Sequence, residues 1–438
     1  MKVSKDMAGD STCAAYHLLP TAPGIIRTMN AAPGTIKKID VADLKTGMYV
    51  ADLGAGWMDH PFLRNNFAIT DDTVIEKIVD AGIREVYIDT TRGHDVQHAP
   101  TREEVERKLT EDMHRVVAEH KEVVRVSYRE EAAKAVKVRD EANRIAHDVL
   151  NDVRLGKQVA VEKVEPVVQE MTESILRNGS ALVSLCRVKD ADDYTFLHSV
   201  SVCALLVSFC RAAGMGIDDI HLVGIGGLLH DIGKMKVPGS ILNKHGKLTD
   251  DEFLKMKNHV VASMEVLSVT PGIHPDSILV AHQHHERHDG TGYPLGLKGD
   301  DISRIGQMAA VCDVYDAITS DRCYHKGMLP HEALRKILEW SKYHFKPEVA
   351  QQFIRTIGIY PVGTLVMLES GRIGIVHDQN EGGNLLQPVV RVIFDSKRQT
   401  YLTPTHIDLS QPLGHGGGDK IVGHETAEKW GIDLSRCQ

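Results

Sequence analysis

The run HHERHDGTGYP, residues 284–294, is the stretch around which this chain is organised. Adjacent imidazoles and nearby carboxylates are groups that bind transition metals. Glycine allows positive φ and close approach of a ligand, and proline fixes its own φ, so Gly290, Gly292 and Pro294 predict a shaped loop. The run indicates a metal site, provided that further ligands lie at helical positions elsewhere in the chain.

Length and composition describe an ordinary soluble globular chain. Its 438 residues are enough for roughly two or three domains. The chain is 42% hydrophobic and 25% charged, and its formal net charge is −9. This charge argues against broad electrostatic binding to a nucleic acid polymer, but it leaves room for a local basic pocket that takes a small phosphorylated ligand.

The cysteines and the absence of targeting signals predict a cytoplasmic protein. The seven cysteines are scattered, and none forms a CxxC pair. This usage fits a reducing compartment and does not indicate a thiolate zinc site. No stretch of about 18 consecutive apolar residues indicates a membrane span, and the first residues lack the pattern of a signal peptide.

The first part of the chain predicts a tail and a small α+β module. Residues 1–36 mix Pro, Gly, Ala and Thr without a period, so we expect a flexible tail. Residues 37–100 form the module: short strands are followed by a helix over 71–81, a stop at Gly82 and a strand over 85–89.

The rest of the chain predicts a charged connector, a helical domain and a sheet. Residues 101–157, rich in Glu, Lys, Arg and Ala, predict solvated connector helices, through which a homodimer could form. Residues 158–360 predict an all-α domain. A small β extension is expected over 361–412, and the glycine-rich residues 413–438 read as a tail.

Several helix starts in the all-α domain can be predicted from capping residues. Asp218 is a candidate cap for a helix that ends near His230. Thr249 and Glu252 have the spacing of a capping box, and Ser303 is expected to start a helix that ends near residue 320.

Imidazoles and carboxylates recur in this domain within or at the end of predicted helices, next to residues that should be buried. A buried charge needs a partner, and a metal ion supplies one for several groups at once. Ligands of this mixed kind, without thiolate, favour iron or manganese over structural zinc. The candidate ligands are His198, His230, Asp231, His259, His284, His285 and Asp313.

Each candidate also has an ordinary explanation when it is taken alone. His198 could be a hydrogen-bonded core histidine, and His259 a surface or capping residue. Asp313 could pair with Arg322 or Arg304. Their joint occurrence and order, with His-Asp followed by Ile-Gly-Lys at residues 230–234, favour a metal centre.

At this point a family resemblance is clear. The runs HDIGK at 230–234, HHE at 284–286 and GYP at 292–294 resemble the HD-GYP branch of the HD-domain metal phosphohydrolases. Residues 44–50, LKTGMYV, resemble a small domain of unknown function that often precedes HD-GYP domains. The resemblance implies a mainly α fold: an all-α HD-type helical bundle, a small N-terminal α+β domain and a small C-terminal β extension.

The resemblance implies a phosphodiesterase that hydrolyses cyclic di-GMP to pGpG, with further hydrolysis to GMP left open. The reaction would use a hydroxide that bridges metal ions, and Asp231 would bridge two metals. Some members hold a third metal through a glutamate four residues before the first histidine. Tyr194 occupies that position, so two metals are expected unless Asp190 or Asp193 substitutes. The implied ligands are the seven candidates named above.

The resemblance also implies residues that contact the substrate. Asp231 and Lys234 would be catalytic, with the Lys234 ammonium on a phosphate oxygen. The family often reads Arg-Pro-Tyr-Arg/Lys-Lys where this chain has RCYHK at 322–326, so the contact made by a basic residue at 325 passes to Lys326. The residues Gly290 to Pro294, termed here the rim loop, would edge the cleft. The implied substrate contacts are Lys234, Arg322, Lys326, Asp289, Gly290 and Tyr293.

Two alternatives remain open at the level of the sequence. The changed residues Cys323 and His325 could shift the substrate to a mixed cyclic GMP–AMP dinucleotide. A non-catalytic binding or scaffold protein is the other alternative, because Gly-Tyr-Pro loops of this family have been linked to diguanylate cyclase domains. His288 matches no ligand position of the family.

Overall fold

The computed structural model describes most of the chain outside its N-terminal segment. The described residues are 35–54, 62, 65–118, 126–186, 194–244, 246, 248–321, 327–378, 384–412 and 418–433. Nearly all of the predicted tail over residues 1–36 therefore lies outside them. So do Asp190, Asp193, Arg322, Cys323, His325 and Lys326.

The N-terminal module is a four-stranded antiparallel sheet with one helix. Its elements are β1 (Ile36–Asp40), β2 (Tyr49–Asp52), β3 (Phe67–Ala68), α1 (Asp72–Asp80) and β4 (Glu85–Asp89). The strand order is β1-β4-β2-β3. The Asp71 carboxylate caps α1 by accepting a hydrogen bond from the Thr73 backbone N–H. The predicted α+β module is confirmed.

The helical domain contains the largest hydrophobic core, which confirms the mainly α fold. Two helices precede this domain, α2 (Arg102–Ala118) and α3 (Tyr128–Arg154). The α-helices of the domain itself are α4 (Val161–Arg177), α5 (Gly179–Cys186), α6 (Tyr194–Ala212), α7 (Ile217–Leu229), α8 (Gly239–Leu242), α9 (Asp250–Lys257), α10 (His259–Ser268), α11 (Pro275–Gln283), α12 (Arg304–Thr319), α13 (Pro330–Trp340) and α14 (Pro347–Ile357).

Helix α6 lies at the centre of this domain and packs against α3, α7 and α12. Among the described residues, its segment Thr195–Ala212 is long and apolar enough to span a membrane by length and composition. However, 72% of that segment is buried inside the protein, which is the pattern of a core helix.

The predicted helix caps were correct at two of three positions. Thr249 forms the capping box with Glu252 at the start of α9, and the Ser303 hydroxyl accepts from Gly306 N–H at the start of α12. Asp218 was wrong as a cap, because Gly216 is the N-cap of α7 and Asp218 lies in its first turn. An acidic side chain there still interacts favourably with the helix dipole.

Helix α3 is not the solvated helix that its charge predicts. One of its faces packs against α4, α5 and α6, and Ala142 and Leu150 on that face are fully buried. The buried Glu131 accepts hydrogen bonds from Arg177 and Ser174, which satisfies the one carboxylate on that face. The buried face consists largely of Ala and Val between charged residues, so the sequence shows only a weak apolar pattern there.

The C-terminal part is a five-stranded antiparallel sheet, and its strand order is β8-β7-β6-β5-β9. Its elements are β5 (Leu365–Leu368), β6 (Arg372–Asp378), β7 (Val389–Asp395), β8 (Thr400–Asp408), β9 (Ile421–His424) and α15 (Ala427–Trp430). The predicted tail over 413–438 was therefore wrong for residues 418–433, because β9 pairs with β5 and Ile432 is buried. A four-residue strand after a glycine run carries too little apolar pattern to be recognised.

Candidate metal centre

Five helices of the bundle carry the predicted ligands. His198 lies in the first turns of α6, and Asp313 lies in the middle of α12. The other five candidates lie at helix ends, where a helix leaves backbone groups without intrahelical partners. His230 and Asp231 follow α7, His259 begins α10 directly after α9, and His284 and His285 follow α11.

The structure brings all seven predicted ligands together. Within each of three overlapping groups, the candidate ligand atoms lie within 4.8 Å of one another. The groups are His198, His230 and Asp313; His230, Asp231 and His284; and His259, His284 and His285.

Asp231 is the central carboxylate of this cluster. Its Oδ2 atom lies 3.3 Å from His230 Nε2 and 3.4 Å from His198 Nε2. Its Oδ1 atom lies 3.2 Å from His259 Nε2 and 3.8 Å from His284 Nε2. One fully buried carboxylate therefore faces four imidazoles.

Asp313 is the second carboxylate of the cluster. Its Oδ1 atom lies 3.0 Å from His198 Nε2 and 3.7 Å from His230 Nε2. Its Oδ2 atom lies 3.8 Å from His285 Nδ1. The two carboxylates therefore both lie close to His198 and His230.

Three imidazoles are oriented by the ends of their own helices. In each, Nδ1 donates to the backbone carbonyl three residues earlier, which lies in the last turn of the preceding helix. The acceptors are Gly227 for His230 at 2.8 Å, Met256 for His259 at 2.7 Å and Ala281 for His284 at 2.9 Å. Because these carbonyls hold Nδ1 as a donor, Nε2 of each imidazole faces the cluster and is the atom that can bind a metal once it is unprotonated.

The unsatisfied atoms of the cluster fit a metal centre. Within the described part of the chain, Nε2 of His230, His259 and His284 and Oδ1 of Asp231 are buried and have no hydrogen-bond partner. Buried polar atoms without partners are costly and rare. A divalent ion would satisfy these nitrogen and oxygen donors together, so the residues present fit the group that the resemblance implies.

The charge states that the cluster favours also fit metal binding. Burial, followed by repulsion from His230, lowers the pKa of His284 to about 3, so its imidazole is neutral at pH 7. Burial alone would raise the pKa of Asp231, but Lys234 and the imidazoles hold it well below its usual value. Neutral imidazole and ionised carboxylate are the forms that bind metal.

His230 differs from His284 because the carboxylates dominate its surroundings. Burial alone would lower its pKa, but Asp231 and Asp313 raise it to about 10. A metal ion that binds at His230 would therefore displace a proton.

Asp316 is a site residue that the sequence reasoning missed. Its Oδ2 atom lies 2.6 Å from His198 Nδ1, and both side chains are almost fully buried. Asp313 and Asp316 are three residues apart on α12, so they lie on one helix face. That spacing, in a helix with few other charges, was the signal available in the sequence.

Lys234 lies at the edge of the cluster on a short 3-10 segment, Ile232–Lys236. Its ammonium contacts Asp231 Oδ2 directly and is largely buried. The structure thus assigns it a carboxylate partner, and its contact with a phosphate stays a prediction.

The rim loop contacts the cluster through Tyr293. The Tyr293 ring stacks on the His285 ring with centroids 4.7 Å apart, and the backbone N–H of Tyr293 donates to the His285 backbone carbonyl. Gly290 has a φ of +85°, as the predicted shaped loop requires. The Asp289 carboxylate accepts from the Thr291 N–H and hydroxyl and lies beside Arg84, and its contact with substrate stays a prediction.

Glu286 is a second residue near the cluster for which the sequence predicted no role. Its buried carboxylate accepts from the backbone N–H groups of Leu295 and Leu297 at 2.8 and 2.9 Å. It therefore fixes the chain that leaves the rim loop.

Two segments of the chain match known protein families. Residues 169–349 match a family described as HD domain. Residues 36–164 match a domain of unknown function, DUF3391.

Comparison with individual proteins finds a relative that matches nearly the whole chain. It is the cyclic di-GMP phosphodiesterase PA4108 of Pseudomonas aeruginosa, 39% identical over 90% of this chain and 93% of the relative. The 3′3′-cGAMP-specific phosphodiesterase 1 of Vibrio cholerae is 35% identical over 35% of this chain and 36% of its own.

Among solved structures, Bd1817, an HDGYP protein of Bdellovibrio bacteriovorus, aligns with a TM-score of 0.43 and 16% identity. The alignment covers 73% of this chain and 98% of Bd1817. This likeness is too weak to place any residue of the cluster.

Proposed function

The chain belongs to the HD-domain family of cyclic di-GMP phosphodiesterases, and we propose that its buried histidine and aspartate cluster is the catalytic metal centre. The protein is a cyclic-dinucleotide phosphodiesterase, and cyclic di-GMP is its substrate. The observation that carries the proposed site is the convergence of seven ligands from five helices, with buried ligand atoms that lack any other partner.

We assign two ions to the centre, iron or manganese, held by His198, His230, Asp231, His259, His284, His285 and Asp313. Imidazole and carboxylate donors without thiolate favour these metals, and Asp231 has an oxygen facing each side of the cluster. When bound, such ions activate water at neutral pH and neutralise charge on a phosphoryl group.

The chain's own residues would bind and orient the phosphodiester. The Lys234 ammonium, at the edge of the cluster, would donate to a nonbridging phosphate oxygen and stabilise the charge that grows there. Tyr293, packed on His285, would form one wall of the cleft. Arg322 and Lys326 would hold the substrate from the segment between α12 and α13. The product would be linear pGpG, formed as the 3′ oxygen leaves.

Three further assignments are proposals about the protein's surroundings. The rim loop would contact diguanylate cyclase domains, the chain would form homodimers, and the protein would be cytoplasmic. Co-purification with a diguanylate cyclase, the mass of the protein in solution and cell fractionation test them separately.

The deciding experiment pairs metal analysis with product identification. Protein purified without oxygen should contain about two iron or manganese ions per chain and convert cyclic di-GMP to pGpG. Asp231→Asn should reduce turnover by more than about 100-fold, because changes outside the ligand shell already cost 10- to 100-fold. His282→Ala, which removes an imidazole near the cluster in sequence but not a proposed ligand, is the matched control.

The possible outcomes separate the candidate functions. No cleavage of any cyclic dinucleotide by metal-loaded protein would favour a binding or scaffold role. Cleavage of cyclic GMP–AMP alone would favour the second substrate, which the Vibrio relative and the changed residues Cys323 and His325 make worth measuring. Full turnover by Asp231→Asn would refute the proposed centre.

A further inference from the structure

The N-terminal module contacts the rim loop directly. The turn at Gly82, which follows α1, lies against Thr291: a Cβ atom built on Gly82 would be 3.4 Å from the Thr291 Cβ and Cγ2 atoms. Two residues later, Arg84 Nη2 lies 3.4 Å from Asp289 Oδ2. The Asp289 side chain is only 7% exposed, so the module covers the residue at the base of the rim loop.

The module is held firmly in this position by contacts with α13. Lys38 Nζ lies 2.6 Å from Glu339, and both side chains are 8% exposed. The Tyr87 hydroxyl donates to Glu339 at 2.9 Å, and the Trp340 indole N–H donates to the Gly54 carbonyl at 2.7 Å. These buried contacts join the module to α13 of the helical domain.

A short series of contacts joins the module to a proposed metal ligand. Asp289 Oδ1 accepts from the Thr291 N–H at 3.0 Å and from its hydroxyl at 2.6 Å, which closes a tight turn. Two residues further, the Tyr293 ring stacks on His285. A shift of Asp289 would therefore move the aromatic wall of the cleft relative to the cluster.

We propose that the N-terminal module positions the rim loop for substrate binding, with Arg84 acting through Asp289. This inference rests on the proposed phosphodiesterase function. It assigns the module a role in the reaction of its own chain: without the module, the Tyr293 wall would take several positions and substrate would bind more weakly. Arg84 is a positioning residue, because its described contacts lie with Asp289 and the Tyr343 ring and not with the cluster.

The test reverses the charge at the contact. Arg84→Glu places two carboxylates together and should raise KM for cyclic di-GMP about fivefold, with kcat changed less than about twofold. In the Arg84→Glu/Asp289→Asn double variant, KM should fall most of the way back to the wild-type value. The new amide keeps the oxygen that accepts from Thr291 and removes the repulsion between the two carboxylates. Arg92→Glu is the matched control, since Arg92 is exposed and stacks on Tyr49 within the module.

Amide hydrogen exchange over residues 289–297 supplies a readout that does not need turnover. Exchange should be faster in Arg84→Glu, return toward wild type in the double variant, and be unchanged in Arg92→Glu, with the metal content equal in all four proteins. A purely structural interface would lower the unfolding temperature and leave both KM and this exchange unchanged, which would overturn the inference. If the wild-type protein does not hydrolyse cyclic di-GMP, the proposed function fails, and the exchange measurement still decides the positioning role.

Discussion

At the scale of single residues, the candidate centre depends on how the second nitrogen of each imidazole is held. Backbone carbonyls hold Nδ1 of His230, His259 and His284, whereas a carboxylate, Asp316, holds Nδ1 of His198. A carboxylate partner raises the basicity of an imidazole ligand more than a carbonyl does. His198 should therefore be the most electron-rich imidazole of the cluster.

Asp316→Asn tests this difference. The amide keeps the shape of the side chain but removes its charge, so we expect metal affinity to fall about 10- to 100-fold. Competition with a chelator measures the affinity without turnover. Asp300→Asn, at an exposed residue paired with Lys346, is the matched control and should bind metal like the wild type. Equal affinity in Asp316→Asn and wild type would show that the contact with His198 has no influence on the metals.

Gly292 is required in the rim loop by lack of space. A Cβ atom there would lie 2.3 Å from the Arg287 amide nitrogen and 2.6 Å from the His285 carbonyl oxygen. These close atoms belong to the backbone, which moves less readily than the end of a flexible side chain. Gly292→Ala should therefore destabilise the protein by about 1–3 kcal/mol and displace Tyr293. Urea denaturation measures the stability, and Gly239→Ala, in open space, should leave it unchanged or slightly raised. A Gly292→Ala variant as stable as the wild type would contradict the packing.

At the scale of elements, a pair of stacked imidazoles joins the C-terminal sheet to the helical domain. His331 at the start of α13 and His424 on β9 have ring centroids 3.6 Å apart and nearly parallel planes. Burial, followed by repulsion from the partner imidazole, lowers the pKa of His331 to about 2. Burial likewise lowers the pKa of His424 to about 4, with Arg335 and His114 adding repulsion.

The stacked pair predicts that acid weakens the attachment of β9. Both folded pKa values lie below that of a free imidazole, about 6.5, so the unfolded chain binds protons that the folded chain does not. The contribution of the two neutral imidazoles to the free energy of unfolding is therefore fully present above pH 6.5. It falls as the pH drops toward 4 and then 2. His424→Gln should reduce the dependence of the free energy of unfolding on pH between pH 6.5 and 4 by about 1 kcal/mol per pH unit. Denaturation at several pH values measures this dependence. An identical slope in the variant would contradict the assignment.

At the scale of the whole molecule, the N-terminal module is fixed to the helical domain by a buried cluster of charges. Burial alone would raise the pKa of Glu339, but Lys336 and Lys38 lower it to about 2, so it is ionised at neutral pH. Lys38 also lies 2.7 Å from Glu85 of the module. Removing the charge of Glu339 leaves Lys38 buried with one carboxylate instead of two.

Glu339→Gln should therefore lower the free energy of unfolding by about 2–3 kcal/mol. This is less than the cost of breaking an isolated buried ion pair, because Glu85 still pairs with Lys38. Chemical denaturation at pH 7 measures the change. The control Glu348→Gln, at an exposed residue in the first turn of α14, should be nearly neutral. A loss below about 0.5 kcal/mol would show that the module does not depend on this charge cluster.

The local pattern of the sequence was enough to predict most of the helices that carry the candidate centre, but not α11, which precedes His284 and His285. Helices over the ligand-bearing segments follow from apolar periodicity and from caps such as Thr249 and Ser303. The histidines that follow α7 and α11 take their orientation from the last turn of their own helix, a contact over three residues. Such features depend on neighbours in the chain, so a single sequence contains them.

What tertiary structure alone decided are the contacts between distant segments. Asp316 contacts His198 across 118 residues, β9 completes a sheet whose first strand, β5, begins at Leu365, and Gly82 lies against Thr291. The buried face of α3, hidden among charges, likewise becomes visible only when the neighbouring helices are in place. The sequence by itself determined the helices and the chemistry of the candidate ligands, because both follow from local spacing and residue type. Which residue orients His198 and which module covers the rim loop depend on packing between surfaces that no local spacing encodes.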